Sequence, residues 1–351
     1  MKVLKNISFT LNYRPKASNY TVDGPALVHM IKPNIGQVTF NNYIDGSIRP
    51  YIAKKSKDFD VIDLAFDVYK TDSLKATVRG KRGKGSKLKV TGTAPLPRNW
   101  ANFLHDDENK QSLFDLIADS LKEINIFQVE LHCTKQNVVL SNTDLDLSAI
   151  SPSNHEEADT RMLLHTAQRS GSSIIKTVDS DVVVIAVGKF FSLNKDELWV
   201  EFGSGRSLEY IPIHVIAKAL GKQTCEAILF FHAFTGSDTT SSIAGHGKVT
   251  TWNTWMAYRE KFTPLFVRLC CAEELTEEDI RLLQELICLI FCRSSSIKKV
   301  NELRLYMHSK GTPFERLPPT LDALILHAKR AMLQAHIWCS MFGCSNTSLR
   351  S

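Results

Sequence analysis

Short β-branched runs along this chain alternate with stretches whose apolar residues recur at helical spacing, a pattern that predicts strands and helices in alternation. Tyr20 to Leu27 reads as a strand that ends at Asp23-Gly24 and passes into helix-compatible sequence. Val61-Ile62-Asp63-Leu64-Ala65-Phe66 predicts a second strand, ending at Asp67. Leu113, Leu116, Ile117 and Leu121 place a helix over Lys110 to Lys122, and Ile126 to Leu131 and Asn137 to Leu140 read as strands. Ser153 precedes Glu156 by three residues, the spacing of a capping box, and predicts a helix to about Arg169 that ends near Gly171. Ile174 to Val178 is the next strand. Leu198 to Phe202, the turn Gly203-Ser204-Gly205-Arg206, and Leu208 to Ile211 predict a β-hairpin. Pro212 suits the first turn of a helix through Leu220, and a second helix from about Thr224 to Phe234 leads to Gly236-Ser237-Asp238. Beyond Trp255 the pattern is mostly helical, with Thr276-Glu277-Glu278-Asp279 opening an amphipathic segment. The order predicts an α/β fold with a largely parallel, doubly wound sheet, and no internal repeat is present.

Composition bounds the rest. At 351 residues, with 43% hydrophobic and 23% charged, the chain can bury a full core. Its longest apolar runs, Val182 to Val187 and Leu286 to Phe291, are far shorter than the ~20 residues that cross a bilayer, so a soluble protein with no membrane partner is expected. Met1 to Arg14 lacks a secretory pattern and none of the eight cysteines forms a CxxC pair, both of which point to a reducing compartment. Cys339 and Cys344, with His336, are the one cluster to weigh as a metal site, against the commoner reading of buried free thiols. The formal charge is +6, and much of the excess falls in the glycine-punctuated stretch from Arg79 to Lys89. Each glycine there costs a helix roughly 1 kcal/mol against alanine, so a loop is expected. A polyanion is the partner it fits; taken alone, a solvated basic loop explains it equally well. Ser345 to Ser351 ends without an obvious stop structure, which reads as a fragment or a trimmed gene model.

The candidate chemistry is acidic. Asp179 and Asp181 follow the Ile174 to Val178 run, and open α/β sheets place their chemistry at the carboxyl ends of strands. Glu157 and Asp159 lie upstream, Asp238 downstream, and Asp23 and Asp67 end the first two strands. Mg2+ or Mn2+ prefers hard oxygen ligands, and two such ions about 3.5–4 Å apart can activate water and stabilise a leaving oxygen, which takes several carboxylates. Each acid also has a plain explanation, since Glu156, Glu157 and Asp159 complement a helix dipole and Asp23-Gly24 is a turn; their joint placement at strand ends favours one pocket.

Glu157-Ala158-Asp159, Asp179-Ser180-Asp181 and Gly236-Ser237-Asp238-Thr239-Thr240 through Gly245-His246-Gly247-Lys248 together resemble the internal region and following helix-turn-helix of the flap endonuclease/XPG nuclease superfamily, which has a PIN-like fold. Val22-Asp23-Gly24 and Phe66-Asp67-Val68 resemble its two N-terminal metal-binding aspartates, so the resemblance spans about Tyr20 to Trp255. It implies a PIN-like nuclease domain over 1–262 with a helix-turn-helix near 236–255, and a helical C-terminal region over 263–351. It implies that Asp67, Glu157 and Asp159 hold one metal ion and Asp179, Asp181 and Asp238 a second, with Asp23 in the outer shell. The basic segment falls where the family has an arch over the scissile phosphate. Lys75, Arg79 and Arg82 are then the candidate transition-state cations, and Lys81 and Lys84 candidate DNA contacts. Gly245, His246, Gly247 and Lys248 would grip duplex DNA, with a K+ ion at the turn; a glycine-flanked turn lets backbone N–H groups approach a phosphate, and an ordinary interhelical turn is the alternative. Three positions depart from the family pattern: no glycine-rich N-terminus precedes Asp23, the basic segment is short and glycine-rich, and Thr239 stands where an aromatic is usual.

Other chemistries fail on spacing. Gly80 to Lys87 gives Gly-x4-Gly-Ser-Lys rather than a P-loop, Gly247-Lys248-Val249 has no hydroxyl after its lysine, and neither Gly-x-Ser-x-Gly nor HExxH occurs. His232 in an apolar helix reads as a core histidine. The expectation is a two-metal, structure-selective nuclease acting on branched or flapped DNA, with nuclear residence. The alternatives are an inactive PIN-like binding or scaffold protein, and an RNA-directed nuclease.

Overall fold

A computed structural model describes residues 2–69, 87–124, 129–294 and 296–342. Its contacts divide the chain into a sheet unit, Phe9–Val183 with Ser192–His214, and a helical unit, Met1–Ser8 with Val184–Phe191 and Val215–Ser351. The expected boundary at 262/263 falls inside a helix of the helical unit.

The sheet has seven strands: β1 (Asn19–Asp23), β2 (Val61–Ala65), β3 (Glu130–Lys135), β4 (Val138–Ser141), β5 (Ser173–Thr177), β6 (Leu198–Phe202) and β7 (Glu209–Pro212), in the order β4-β3-β2-β1-β5-β6-β7. β3, β2, β1, β5 and β6 run parallel, and the two outermost strands pair antiparallel. The expected α/β class with a largely parallel sheet is therefore present, and β6 and β7 form the expected hairpin with Val200 opposite Ile211. Every residue of β1 and β5 is buried, as strands covered on both faces require.

Within the sheet unit, α1 (Gly24–Met30), α2 (Arg49–Lys55), α3 (Asp107–Lys122) and α4 (Ala158–Ala167) follow in chain order. Tyr20, Val22, Ile62, Leu64 and Leu131 pack into one core with Phe40, Tyr43, Phe103 and Phe114. Phe66 stacks on Phe114 with centroids 4.5 Å apart. Gly24 is dictated by this packing, because a Cβ there would sit 2.2 Å from the Phe66 ring and 2.8 Å from the Ala65 carbonyl oxygen. A glycine directly after Asp23 thus lets α1 begin against the end of β2.

Two segments differ from the sequence pattern, and a third, left unassigned by it, is a helix. β3 starts at Glu130, later than the expected strand from Ile126; residues 125–128 lie outside the described residues. Its polar His132 and Thr134 are buried, which an apolar-run criterion misses. α4 starts at Ala158 rather than near Ser153, whose Oγ accepts the His155 N–H at 3.3 Å instead of capping a helix. The apolar run Val182 to Val187 lies within a helix, α5 (Ser180–Lys189), and all six residues are buried.

The helical unit continues through α6 (Ile213–Leu220), α7 (Lys222–Phe234), α8 (Lys248–Ala257), α9 (Arg259–Leu269), α10 (Glu277–Phe291), α11 (Val300–Ser309) and α12 (Leu321–Cys339). α7 packs against α9 and α12 through Phe230, Phe231 and Phe234. Phe231 lies 4.8 Å from Trp255, whose Nε1 donates to Thr263 Oγ1 at 3.1 Å. α10 opens on the expected acidic turn: Thr276 Oγ1 accepts the Asp279 N–H at 3.1 Å and Asp279 Oδ2 accepts the Thr276 N–H at 2.9 Å. Among the described residues the cysteines are free, with Cys133, Cys225, Cys270 and Cys288 buried and Cys271 exposed; Cys344 lies outside the described residues. No helix among the described residues is long and apolar enough to cross a membrane.

Candidate functional site

The carboxyl ends of β1 and β5 lie side by side where the strand order reverses, the position at which open parallel sheets form a crevice. Asp23, the last residue of β1, is only 6% exposed. Its Oδ1 accepts the Ala26 N–H at 2.8 Å, which caps α1, and its Oδ2 accepts the Thr177 hydroxyl at 2.8 Å. Thr177 ends β5, and its Oγ1 in turn accepts the Asp179 N–H at 3.0 Å. Asp179 Oδ1 accepts the Asp181 N–H at 2.8 Å, so the Asp179-Ser180-Asp181 turn opens α5. One buried hydroxyl thereby ties the acidic ends of two neighbouring strands together.

Asp67, two residues beyond β2, adds another carboxylate to this edge. Its Oδ1 accepts the N–H of Ala158, the first residue of α4, at 2.8 Å, and the Tyr69 hydroxyl lies 3.4 Å from its Oδ2. The Val68 N–H donates to the Glu156 carbonyl at 2.7 Å, strapping the approach to α4 onto the end of β2. Glu157 makes no side-chain cap, and Asp67 fills that role from another element. Glu157 and Asp159, which flank Ala158, are half-buried at the same edge.

Burial pushes the Asp23 carboxyl up to about 6, and the negative charges of Asp67 and Asp179 push the same way, against the bonds from Ala26 and Thr177. Lys176, 4% exposed on β5, donates to the Gly203 carbonyl at 2.5 Å and pairs with Glu201 at 3.4 Å. Burial lowers its pKa, while Glu201 and Asp23 oppose the shift. The donors at this edge are the hard oxygens that Mg2+ and Mn2+ prefer, gathered around a carboxyl that resists ionising alone. In chemistry they fit such an ion. In geometry they are not closed around one, since among the described residues no three His, Cys, Asp or Glu side chains form a ready set of metal ligands.

A buried charge network underlies α4. Asp63 of β2 is fully buried; its Oδ1 contacts His165 Nδ1 at 2.9 Å and Arg169 Nη2 at 2.7 Å, and its Oδ2 accepts Arg169 Nε at 3.2 Å. The same Arg169 nitrogen lies 2.7 Å from Nδ1 of the buried His132, which must be neutral to accept it. Burial lowers the His132 pKa to about 4. Asp67 holds the start of α4 and Asp63 its end, so β2 fixes this helix at two points. Thr177, Asp63, His132, His165 and Arg169 were not singled out by sequence reasoning. Thr177 alone offered a signal there, a hydroxyl two residues before an aspartate at a strand end.

Asp238 belongs to the helical unit and is exposed on the Thr235–Gly247 connection between α7 and α8. Its loop is fixed on both sides. Ser237 N–H donates to Thr240 Oγ1 at 2.9 Å, Thr240 Oγ1 donates to the Ala233 carbonyl at 2.6 Å, and Thr239 Oγ1 donates to Gln334 Oε1 of α12 at 2.5 Å. Gly236 has φ +110, and a Cβ there would lie 3.0 Å from Ser242 Cα. In the Gly245-His246-Gly247 turn, Gly245 has φ +74 and the His246 ring lies 4.3 Å from Phe291. Lys75, Arg79, Lys81, Arg82 and Lys84 lie outside the described residues.

Lys248, expected on a phosphate, is engaged within the unit. Its Nζ donates to the His232 carbonyl at 2.9 Å and to Thr235 Oγ1 at 3.2 Å, and lies 3.0 Å from His232 Nδ1. It therefore caps the carboxyl end of α7, where a cation is favoured. Lys248→Ala is expected to lower stability by about 1–2 kcal/mol, a loss that chemical denaturation measures.

Fold and site together define an α/β protein with acidic side chains gathered at the switch point of a mostly parallel sheet. Comparison with protein-family models and with curated proteins returned no match.

Proposed function

We propose that the chain is a metal-dependent nuclease of PIN-like, XPG-like type that hydrolyses phosphodiester bonds in DNA. The observation that carries this reading is the Thr177 bridge between Asp23 and Asp179, with Asp67 close enough to raise the Asp23 pKa, at the sheet's switch point. Asp67, Glu157, Asp159, Asp179 and Asp181 would hold Mg2+ or Mn2+, with Asp23 behind them. The chemistry a bound pair of such ions supplies is water activation and neutralisation of charge on the scissile phosphate. The chain's own part is positional. Thr177 fixes the spacing of Asp23 and Asp179, Asp67 sets the start of α4, and the network at Asp63 keeps that helix in place. Asp238, the K+ ion at the Gly245 turn, an arch from the basic segment and residence in the nucleus belong to the same proposal.

Cleavage of a labelled flapped DNA in Mg2+ tests the reading. Wild-type protein should cut it, and Asp179→Ala should lower the rate by at least about a thousandfold with binding retained. The second reading, an inactive PIN-like binding or scaffold protein, is favoured by the absence of a closed ligand set among the described residues. Binding of DNA with no cutting of any branched or single-stranded DNA or RNA, in Mg2+ or Mn2+, establishes it in place of the first. Preferential cutting of matched RNA would reassign the substrate.

A further inference from the structure

At the edge of the sheet opposite the acidic one, where β1 and β5 begin, Arg14, Lys16, Ser18, Asp58 and Ser172 line a cavity of about 350 Å3. The two edges are about 13 Å apart along β1 at the usual rise per residue. The strand starts shape the cavity: the Ser18 and Asn19 N–H groups donate to the Ser172 carbonyl at 3.2 and 3.3 Å, and the Asp60 N–H donates to the Ser18 carbonyl at 2.8 Å. Asn19, 3% exposed, ties the two segments together, its Nδ2 donating to the carbonyls of Ser170 and Ser172 at 2.5 and 3.2 Å. Arg14 Nη2 donates to Asp58 Oδ1 at 2.9 Å and its Nη1 pairs with Oδ2, while the guanidinium lies 5.3 Å from the Phe59 ring centroid. Both partners stay in solvent, at 38% and 36% exposure. The hydrogen bond from Arg14, with the charges of Arg14, Lys55 and Lys54, holds the Asp58 carboxyl below its ordinary value. Lys16 is exposed and makes no ion pair among the described residues. Next to Ser172, the 8%-exposed Lys195 donates to the Arg169 carbonyl and, at 3.3 Å, to that of Gly171. Burial, then Arg169, lower its pKa to about 8, with Asp63 opposing. Setting aside Arg14 on Asp58 and Lys55 on Glu201, the charges left in or beside the cavity are Lys16, Lys54 and Lys195 against Asp60.

We propose that this cavity binds the phosphate group of a small phosphorylated molecule, with Lys16 and Arg14 as its charge partners and the Ser18 and Ser172 hydroxyls as its hydrogen-bond partners. The volume is that of a small-molecule site. A phosphate carries the charge and the paired oxygens that an ammonium and a planar guanidinium recognise together. Asp58 already offers the Arg14 fork the two-oxygen geometry that a phosphate presents, and as an exposed side chain it can yield the fork to a ligand. Serine hydroxyls donate to the remaining oxygens. A plain surface pair accounts for Arg14 and Asp58 alone; it leaves the cavity, the unpaired Lys16 and the buried Lys195 behind Ser172 without a role. The proposal uses no residue of the acidic edge and stands whether or not the chain cleaves DNA.

The test is calorimetric titration of inorganic phosphate into the full chain, in EDTA and at constant ionic strength set with chloride, so that general screening does not change. Saturable binding with a Kd of about 1 mM or tighter is expected. Lys16→Gln and Arg14→Gln should each weaken it at least about fivefold. Asp58→Asn should tighten it about two- to fivefold, because it frees the Arg14 fork and removes a negative charge. A merely structural Arg14–Asp58 pair predicts no such gain. Lys16→Gln and Asp58→Asn decide the matter even if Arg14→Gln fails to fold. No saturable binding to wild type overturns the proposal, as does binding that Lys16→Gln leaves unchanged or that Asp58→Asn does not tighten. Displacement of the bound phosphate by glycerol phosphate supports a small phosphorylated ligand. Displacement by a single-stranded oligonucleotide with blocked ends, and not by glycerol phosphate, overturns it and assigns the cavity to a nucleic-acid backbone.

Discussion

Replacing Asp23 by asparagine should make the metal-free protein more stable at pH 7.5. The folded protein holds the Asp23 carboxyl at about 6, against an ordinary value near 3.8, because it is buried between Asp67 and Asp179. A carboxyl raised in the folded state binds its proton more tightly there than in the unfolded chain, so its contribution is favourable below pH 3.8 and is lost as pH rises through about 6. A rise of about two pH units corresponds to a cost on the order of 3 kcal/mol at neutral pH. Asparagine avoids that cost and keeps the geometry, since its oxygen can accept the Ala26 N–H and its amide can donate to Thr177. The expected result is a melting temperature several degrees above wild type at pH 7.5 and no difference at pH 3.5. Added Mn2+ should raise the melting temperature of wild type and of Asp23→Asn, because Asp23 lies behind the residues that would hold the ion, and leave Asp179→Asn the least moved. A variant less stable than wild type at pH 7.5 would show that Asp23 is a structural carboxylate and not a site residue held at a cost.

Asp63→Ala should have the largest effect of any single substitution in the sheet unit. Removing this fully buried carboxylate leaves Arg169, which is 12% exposed, without its principal counter-charge. Deleting one partner of a buried ion pair typically costs about 3–5 kcal/mol, a large part of the stability of an ordinary domain. Hydrogen bonds and positive charge from His165 and Arg169 hold the Asp63 carboxyl well below the usual carboxylate range against the opposing effect of burial. The same network contributes an acid-sensitive part of the stability, opposite in sign to that of Asp23. His132, lowered to about 4 by burial, must stay neutral in the folded state, while in the unfolded chain it titrates near 6.5. The unfolded chain therefore binds more protons between those values, and stability falls as pH drops from 6.5 to 4. Because Asp23 works in the opposite direction over this window, the comparison is made in the Asp23→Asn background, where urea titrations at pH 7.5 and pH 4.5 should show that fall, and a smaller one when His132→Gln is added. If Asp63→Ala unfolds at the wild-type midpoint, the two-point attachment of α4 to β2 is not what holds that helix.

The central strands were readable because they are short runs rich in β-branched residues with an acid at or just past their ends: Asp23 after Tyr20-Thr21-Val22, and Asp179 beyond Ile174 to Val178. Strands buried on both faces leave that signature. The start of α4 was misplaced because Ser153 and Glu156 have capping-box spacing, while the cap is supplied from β2 by Asp67, a long-range contact that no local window contains. The Asp63 network was hidden for the same reason. His132, His165 and Arg169 are polar residues in segments whose burial is decided by the sheet and not by their own pattern. Lys248 looked like a phosphate contact from its place after a Gly-His-Gly turn, and only its hydrogen bonds to His232 and Thr235 show that it closes α7. The acids at this edge were legible one by one; that the Thr177 hydroxyl, two residues before Asp179, joins Asp23 to Asp179 is visible only in the structure.

Calorimetric titration of Mn2+ into the full chain at pH 7.5, alongside the Asp23→Asn, Asp179→Asn double variant, tests the central claim most directly. Saturable binding to wild type that disappears in a folded double variant is the predicted result. No saturable binding to wild type, or undiminished binding to the double variant, would contradict it.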